Sequence, residues 1–267
     1  MRPSAGGSTF AWALACVGLA LLALPLAALV IRAPWARIGE LLGGDVVLPA
    51  LGLSLATAAA STLLCLVLGV PLATLLARSE TWPVVPRRVL RALITVPMVL
   101  PPVVGGIALL LLLGRRGVLG AWLAEAGIAI PYTTGAVVIA QTFVSLPFVV
   151  FAVEGALRST DRRVEEAAAD LGASPFRVLW HVTIPLVLPG VAAGAVLCFT
   201  RALGEFGATI TFAGSLPGVT RTLPIASYLA LETDPDAAIV LALVLVAVSL
   251  AVILSLRDRW LPRAGLR

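Results

Sequence analysis

Residues 158–185 read RSTDRRVEEAAADLGASPFRVLWHVTIP, and this polar stretch, the connecting segment, separates two long apolar runs. Residues 135–153 precede it and residues 186–209 follow it. About 20 helical residues suffice to cross the roughly 30 Å hydrocarbon core of a bilayer, so each run can form a membrane-spanning helix. The pattern therefore predicts an all-α protein that crosses a membrane more than once.

Four further apolar segments extend this pattern toward both ends of the chain. The six predicted spans are residues 10–31, 48–77, 89–113, 135–153, 186–209 and 237–256. The third contains Pro97, Pro101 and Pro102, so we expect a kinked helix that faces protein or a cavity. The first is long for a signal peptide and lacks a clear cleavage site before Arg32, so we interpret it as a helix of the folded protein. We treat residues 1–267 as one transmembrane domain.

The amino-acid composition excludes several classes of protein. Hydrophobic residues make up 60% of the chain and charged residues only 12%, whereas a soluble domain is about a quarter charged. All nineteen basic residues are arginine, and a phosphate-binding loop of the Walker type needs a lysine. One histidine, His181, and three scattered cysteines give no metal or disulfide framework. We therefore expect no cofactor on this chain, and a membrane enzyme has little support.

The distribution of arginines predicts the orientation in the membrane, because cytoplasmic loops are enriched in positive residues. With the N-terminus inside, thirteen arginines lie on the cytoplasmic side, five lie outside, and Arg201 lies within a span. The outer five are Arg32, Arg37, Arg115, Arg116 and Arg221. We therefore expect both termini and the connecting segment to be cytoplasmic.

Two short helices are predicted within the connecting segment. Thr160 or Asp161 can cap the first helix. The residues that share one face of this helix are Val164, Ala167, Ala168 and Leu171. Gly172 stands at the end of the first helix, where a residue with left-handed backbone conformation is common. Ser174 and Pro175 then supply a cap and a first-turn proline for the second helix. The alternative is an amphipathic segment that lies on lipid, although a face composed mostly of alanine would bury little area there.

The connecting segment resembles the EAA loop of ABC importer permeases, EAA-x3-G-x9-I-x-L-P. The matching residues are Glu166-Ala167-Ala168, Gly172 and Val182-Thr183-Ile184-Pro185, of which Val182 and Ile184 are conservative departures. In that family the loop forms coupling helices that sit in a groove of an ATP-hydrolysing subunit. The resemblance therefore implies the ABC type I importer permease fold and an ATPase dimer as partner, which alone binds ATP and Mg²⁺. The docking residues that it implies are Glu166, Ala167, Ala168, Gly172, Ser174, Pro175, Ile184 and Pro185.

A narrower resemblance, to the molybdate/tungstate permeases among the oxyanion importers, covers most of the chain from about the second span onward. The stretches that carry it are VPMVLPPVVG (96–105), GRRGVLG (114–120), ALGEFGAT (202–209) and TRTLPIA (220–226). It implies a homodimeric permease in the lipid of a bacterial inner membrane. It also implies two ATPase subunits, an external oxyanion-binding protein and no nucleic-acid partner. A sulfate or thiosulfate permease is the alternative within the group. A secondary transporter is the alternative outside it, and would require membrane-embedded carboxylates and often an inverted repeat.

Arg201 and Glu205 are the only ionisable pair that the sequence places within a span, and their spacing predicts that they share one helix face. A paired carboxylate keeps polarity without repelling an anion, so one interpretation is a gate; a pair that only locks helix packing is the other. Gly204 and Gly207 would let another backbone approach closely. The predicted pathway residues are Pro101, Pro102, Arg201, Gly204, Glu205, Phe206, Gly207 and Thr209.

Arg115, Arg116 and Arg221 lie at the outer mouth in this topology. They can attract an oxyanion or contact acidic patches of a substrate-delivery protein. Solvated loop charges are the alternative.

Overall fold

The computed structural model describes residues 5–160 and 162–260, and helices form most of this part of the chain. It contains no β-strand, which confirms the predicted all-α fold. The helices are α1 (Ala5–Ile31), α2 (Ile38–Leu42), α3 (Val47–Arg78), α4 (Val84–Val99), α5 (Pro102–Leu113), α6 (Gly120–Glu125), α7 (Thr134–Ser159), α8 (Arg162–Asp170), α9 (Pro175–Val178), α10 (Ile184–Leu203), α11 (Gly207–Ala213), α12 (Leu223–Thr233) and α13 (Pro235–Trp260). A 3-10 turn, Ser79–Thr81, follows α3, and a π-helical turn, Leu179–Thr183, joins α9 to α10.

Within the described residues, five helical stretches are long and apolar enough to cross a membrane, and a bent helix pair supplies a sixth. The five are Phe10–Ile31, Val47–Thr81, Thr134–Ser159, Phe176–Leu203 and Pro235–Leu254. The bent pair is α4 with α5, which meet at an angle of 115°. The prediction of about six spans is confirmed, with one of them broken.

The predicted third span, residues 89–113, is two helices rather than one kinked helix. Leu100 and Pro101 both have extended backbone, with ψ values of 137° and 131°. Each precedes a proline, which disfavours the helical conformation of the residue before it. Pro102 then starts α5, where its missing N–H would have no helical partner. The chain therefore turns sharply between α4 and α5.

The predicted fifth span, residues 186–209, has different ends. It starts earlier, because α9, the π-helical turn and α10 run on without a loop; the second predicted helix of the connecting segment is thus the beginning of the span. It stops at Leu203, and a new helix starts at Gly207. Glu205 lies between the two helices, and its carboxylate accepts the N–H of Ala208. That N–H belongs to the first turn of α11, whose donors have no partner within the helix.

The core of the bundle is formed by α3, α7 and α10. Its buried side chains are mostly small or medium-sized and include Cys65, Ala73, Leu76, Val149, Val150, Val153 and Cys198. Such side chains let helices pack closely, which supports association where lipid removes the hydrophobic driving force. By contrast, α1 contacts α13, and most of its side chains from Phe10 onward are exposed.

Candidate functional site

The connecting segment forms a bent pair of helices between α7 and α10. Gly172 has a φ of +83°, the left-handed conformation predicted for it, and its N–H donates to the carbonyl of Ala169 at 2.9 Å. Ser174 Oγ accepts the N–H of Arg177 at 3.4 Å, as expected of a cap. The predicted turn and the start of the second helix are confirmed.

The predicted cap of the first helix is wrong for Thr160. Its hydroxyl donates to the carbonyl of Ala156 at 3.0 Å, so Thr160 closes α7 instead of opening α8. The last carbonyls of a helix lack helical donors, and a hydroxyl one turn further on can reach them. Asp161, the other predicted cap, lies outside the described residues.

Large apolar side chains of the connecting segment are exposed. Leu171 is 90% exposed, Phe176 71% and Trp180 53%, and the two aromatic rings contact each other with centroids 6.0 Å apart. Val164, on the predicted face of α8, is also exposed. Phe176 and Trp180 were absent from the predicted docking residues, although their i,i+4 spacing could have indicated a shared helix face.

A hydrogen bond ties α8 to the start of the following span. Thr183 Oγ1 donates to Glu165 Oε1 at 2.6 Å. Glu165, which was not predicted, lines a cavity of about 370 Å³ together with Glu166 and with Arg78 from the end of α3. The connecting segment is therefore fixed to one span and lies beside another.

Most of the predicted docking residues are accessible. The exposed ones are Glu166, Ala167, Gly172, Ser174 and Pro185, and the half-buried ones are Ala168 and Ile184. The remaining one, Pro175, begins α9. A partner chain could therefore reach this part of the connecting segment.

The two interrupted spans meet where each is broken. A Cβ built on Gly207, at the start of α11, would lie 2.9 Å from the Cβ of Pro102, at the start of α5. A Cβ on Gly106 would lie 2.8 Å from the carbonyl oxygen of Ala208. The predicted close approach is thus present at Gly207. Gly204 meets only a carbonyl of its own helix, 3.6 Å away, so the expectation for Gly204 is not met within this chain.

Arg201 and Glu205 form an ion pair beside this junction, with Nη1 and Oε2 2.6 Å apart. Glu205 is only 1% exposed, and its Oε1 accepts the N–H of Ala208 at 2.8 Å. The pair does not share one helix face as predicted, because α10 ends at Leu203. The ring of the next residue, Phe206, packs against Tyr228 of α12 in a tilted arrangement, with the ring centroids 4.9 Å apart. Glu205 therefore neutralises an arginine and caps a helix at once.

Four buried side chains have polar atoms without a hydrogen-bond partner among the described residues. They are Gln141 and Ser145 on α7, Thr209 on α11 and Thr222 just before α12. Of the elements that carry them, α7 and α11 pack against each other. A buried polar group without a partner is costly unless water or another polar molecule satisfies it. Thr209 was predicted; Gln141 and Ser145 were missed, because nothing in an apolar run shows which of its polar residues lack partners.

A second buried carboxylate was also missed. Glu154 on α7 is 4% exposed; its Oε1 accepts from Arg158 Nε at 2.9 Å and also binds Arg91 of α4. The statement that Arg201 and Glu205 are the only ionisable pair within a span is therefore wrong. The predicted fourth span ended one residue before Glu154, whereas α7 continues for another turn and a half.

The predicted outer-mouth arginines lie in two places. Arg115 and Arg116 are exposed and line a cavity of about 590 Å³ with Tyr132. Tyr132 has a φ of +64°, which is strained for a bulky residue. Arg221 instead donates through Nε to Ser215 Oγ at 3.1 Å and lines a different cavity. The three arginines therefore do not form one cluster.

Comparison with known proteins gives both a family and near relatives. Residues 69–264 match the model of the family described as binding-protein-dependent transport system inner membrane component. The molybdenum transport system permease protein ModB of Mycobacterium bovis is 55% identical over 245 residues, 92% of each chain. The protein of the same name from Escherichia coli K12 is 41% identical over 212 residues, 79% of this chain and 91% of that one.

Two more distant comparisons bear on the alternatives and on the fold. The probable sulfate transport system permease protein cysT of Nephroselmis olivacea is 33% identical over 93% of this chain and 88% of its own length. A bacterial ABC transporter involved in the import of alginate has a solved structure with a TM-score of 0.71, 17% identity and 96% coverage of both chains. That likeness concerns the fold alone.

These findings confirm the ABC importer permease fold and the resemblance to permeases of the molybdate/tungstate group. Because the relatives are transport permeases, they also confirm the prediction of a multi-pass transport subunit of the inner membrane in place of an enzyme. The family model covers well over half of the chain, and this protein belongs to the binding-protein-dependent transport system inner membrane component family.

Proposed function

We propose that this chain is the membrane-spanning subunit of an ATP-driven importer of molybdate, or of the similar ion tungstate, and that a separate ATPase drives it through the connecting segment. The observation that carries the proposal is the exposure of Leu171, Phe176 and Trp180 on a segment fixed to the bundle. Large apolar side chains grouped on a polar loop mark a protein contact. ATP and Mg²⁺ would bind the partner, since this chain has no lysine for a Walker loop.

A continuous helix connects the exposed side chains of the connecting segment to the junction where the two broken spans meet. The stretch Phe176–Leu203 has 28 residues, about 42 Å at 1.5 Å per residue, and it ends two residues before Glu205. The end of α10 lies beside the junction of α5 and α11. A displacement of the connecting segment would therefore be transmitted along this helix to the junction. Closure of two ATPase subunits on ATP would pull two connecting segments together and tip the spans from inward-open to outward-open, and hydrolysis would reset them.

A second copy of the chain would complete the pathway. The interruption between α10 and α11 leaves Gly204 exposed and Phe206 half-buried. Non-helical backbone at membrane depth is tolerated only where protein or a water-filled cavity covers it. A homodimer whose copies face each other at this interruption would provide that cover and would place the pathway between them.

The junction has a suitable polarity for an oxyanion. Arg201 and Glu205 neutralise each other, so the carboxylate does not repel a dianion. The N-terminus of α5, at Pro102, also lies there, and helix N-termini carry partial positive charge. In this proposal the pair is part of the gate. Both termini lie in the cytoplasm, and an external oxyanion-binding protein delivers the cargo on the side of Arg115 and Arg116.

The test is reconstitution of this chain with its ATPase subunit in lipid vesicles. We expect molybdate-loaded binding protein to raise ATP hydrolysis and to drive molybdate uptake, and sulfate-loaded binding protein to do neither. Stimulation by sulfate in place of molybdate would assign the sulfate alternative. Uptake by the permease alone under an ion gradient, without the ATPase subunit, would overturn the proposal in favour of a secondary transporter.

A further inference from the structure

A basic pocket lies apart from the exposed apolar side chains of the connecting segment and from the junction where the two broken spans meet. It has a volume of about 450 Å³ and lies between the end of α3, the turn that follows it, the start of α4 and the end of α7. Its polar lining residues are Ser79, Glu80, Arg87, Arg88, Arg91 and Arg158. Four arginines from two helices therefore converge on one small volume.

Two of these arginines are held in place by a buried carboxylate. Arg91 and Arg158 both bind Oε1 of Glu154, whose side chain is 5% exposed. Arg158 also binds Glu80 Oε1 at 2.7 Å. A guanidinium has five N–H donors, and these contacts use only some of them. Arg91 and Arg158 therefore present unused donors from fixed positions.

The other two arginines leave the pocket positively charged. Arg87 is half-buried and Arg88 exposed, and neither forms an ion pair within the part of the chain that the structure describes. Four guanidinium groups against the carboxylates of Glu80 and Glu154 give a formal charge of +2. The pocket therefore favours an anion with about two negative charges.

The surroundings of the pocket match the level of lipid headgroups. On α4, Val85, Val89 and Leu93 follow one another at i,i+4 spacing and are exposed, so they form an apolar face suited to lipid. Trp82, 38% exposed, stands in the turn before α4, and tryptophan is enriched at membrane–water interfaces. Basic pockets between membrane helices on the cytoplasmic side bind anionic headgroups.

We infer that this pocket is a binding site for a phosphate-type tetrahedral oxyanion, supplied either by an anionic lipid headgroup or by a free anion in the cytoplasm. Guanidinium groups bind such groups through paired N–H···O bonds. Arg87 and Arg88 would supply the charge, and Arg91 and Arg158 the fixed donors. The bound anion would link α4, where the broken span begins, to Arg158, where the connecting segment begins. The site is separate from the cargo pathway and does not depend on which ion is carried.

The test uses the assembled transporter in two kinds of nanodisc. In discs of equal parts phosphatidylcholine and phosphatidylglycerol, native mass spectrometry counts the lipids that stay bound on release. In discs of phosphatidylcholine alone, calorimetry measures the binding of inorganic phosphate. Each measurement compares the wild type with R87A/R88A, with the charge-retaining R87K/R88K, and with R32A, which removes an exposed arginine at the end of α1.

We expect R87A/R88A to reduce phosphatidylglycerol retention or phosphate affinity by about tenfold, a change of 1.4 kcal/mol. R87K/R88K should lose less lipid retention or phosphate affinity, because lysine keeps the positive charge but cannot form the paired hydrogen bonds of a guanidinium. If the alanine variant fails to assemble, the comparison between R87K/R88K and the wild type replaces it. R32A should behave as the wild type. Loss confined to the lipid arm identifies a headgroup, and loss confined to the phosphate arm identifies a free anion. Binding that is absent in both arms, or equal in wild type and both double variants, overturns the inference.

Discussion

Gly207 faces the ring of Pro102 with no space for a side chain, since a Cβ there would lie 2.9 Å from the Pro102 Cβ and 3.2 Å from the backbone nitrogen of Val103. Neither a proline ring nor helix backbone yields easily. We therefore expect G207A to force α11 away from α5, at a cost of about 1–3 kcal/mol for overpacking. The measurements are thermal unfolding of the assembled transporter and molybdate uptake.

Gly52, inside α3, provides the control for this substitution. A Cβ built on it meets nothing within 4 Å, and the residue is exposed. G52A should therefore leave unfolding nearly unchanged or raise the unfolding temperature slightly, since alanine is favoured over glycine inside a helix. Equal destabilisation by both variants would show that the junction does not depend on the close approach at Gly207.

Replacing Glu205 by glutamine tests the ion pair. The amide oxygen can still accept the N–H of Ala208, but Arg201, whose side chain is 29% exposed, loses its counter-charge. Breaking a buried pair costs about 3–5 kcal/mol, and the partial exposure of Arg201 places the expected loss of stability near the lower end. Uptake should fall with it, as measured in vesicles with the ATPase subunit present.

A double variant separates a gate from a packing pair. R201M/E205Q removes both charges and should recover much of the stability that E205Q loses, because no buried charge is left unpaired. If the pair belongs to the gate, uptake stays low even though the transporter assembles. Recovery of uptake together with assembly would assign the pair to helix packing alone.

The positions of the spans follow from the sequence because the length of an apolar run is a local property. The interruptions follow less well. Pro101 and Pro102 indicate a kink. The 115° angle between α4 and α5 also depends on how α5 packs against α11. That close packing requires Gly106 and Gly207, which have no side chains. The predicted span 186–209 is broken between Leu203 and Gly207. The contact that stabilises the break, from the N–H of Ala208 to Glu205, cannot be predicted from the hydropathy of the sequence.

The buried carboxylate Glu154 illustrates a second reason. Its partner Arg91 lies 63 positions away in the chain, so no local spacing rule links them, and Glu154 stood just beyond the predicted end of a span. By contrast, the Gly172 turn could be predicted, because glycine, a following cap and a proline form a local code. Local signals thus predict the turn, whereas the contact between Glu154 and Arg91 depends on long-range pairing. The other partner of Glu154, Arg158, has i,i+4 spacing but also lies beyond the predicted end of the span.

Gly172 should not tolerate a β-branched residue. Its φ of +83° is left-handed, and such a conformation costs roughly 1–2 kcal/mol for a residue with a Cβ. Because a built Cβ meets nothing within 4 Å, G172V should strain only the turn and change the angle between α8 and α9. We expect stimulation of ATP hydrolysis by the loaded binding protein to fall, with the permease still folded.

The control for that strain is Gly127, which also has a positive φ, +77°, and open space around it. G127V introduces the same kind of strain in the loop after α6, away from the connecting segment. It should keep stimulated hydrolysis near the wild-type level. A similar loss in both variants would mean that strain anywhere in the chain, not the geometry of the connecting segment, reduces activity.

Leu171 offers the sharpest test of the docking surface, because it is 90% exposed and L171S should not alter the stability of this chain. Burying a leucine is worth about 1.5–3 kcal/mol, so loss of that burial should weaken ATPase binding roughly 10- to 150-fold, measured by titrating the ATPase subunit onto the detergent-solubilised permease. Leu231, 60% exposed on α12, is the matched control, and L231S should bind normally. Equal affinity of both variants would mean that the ATPase docks elsewhere, since a side chain this exposed contributes energy only through the partner that covers it.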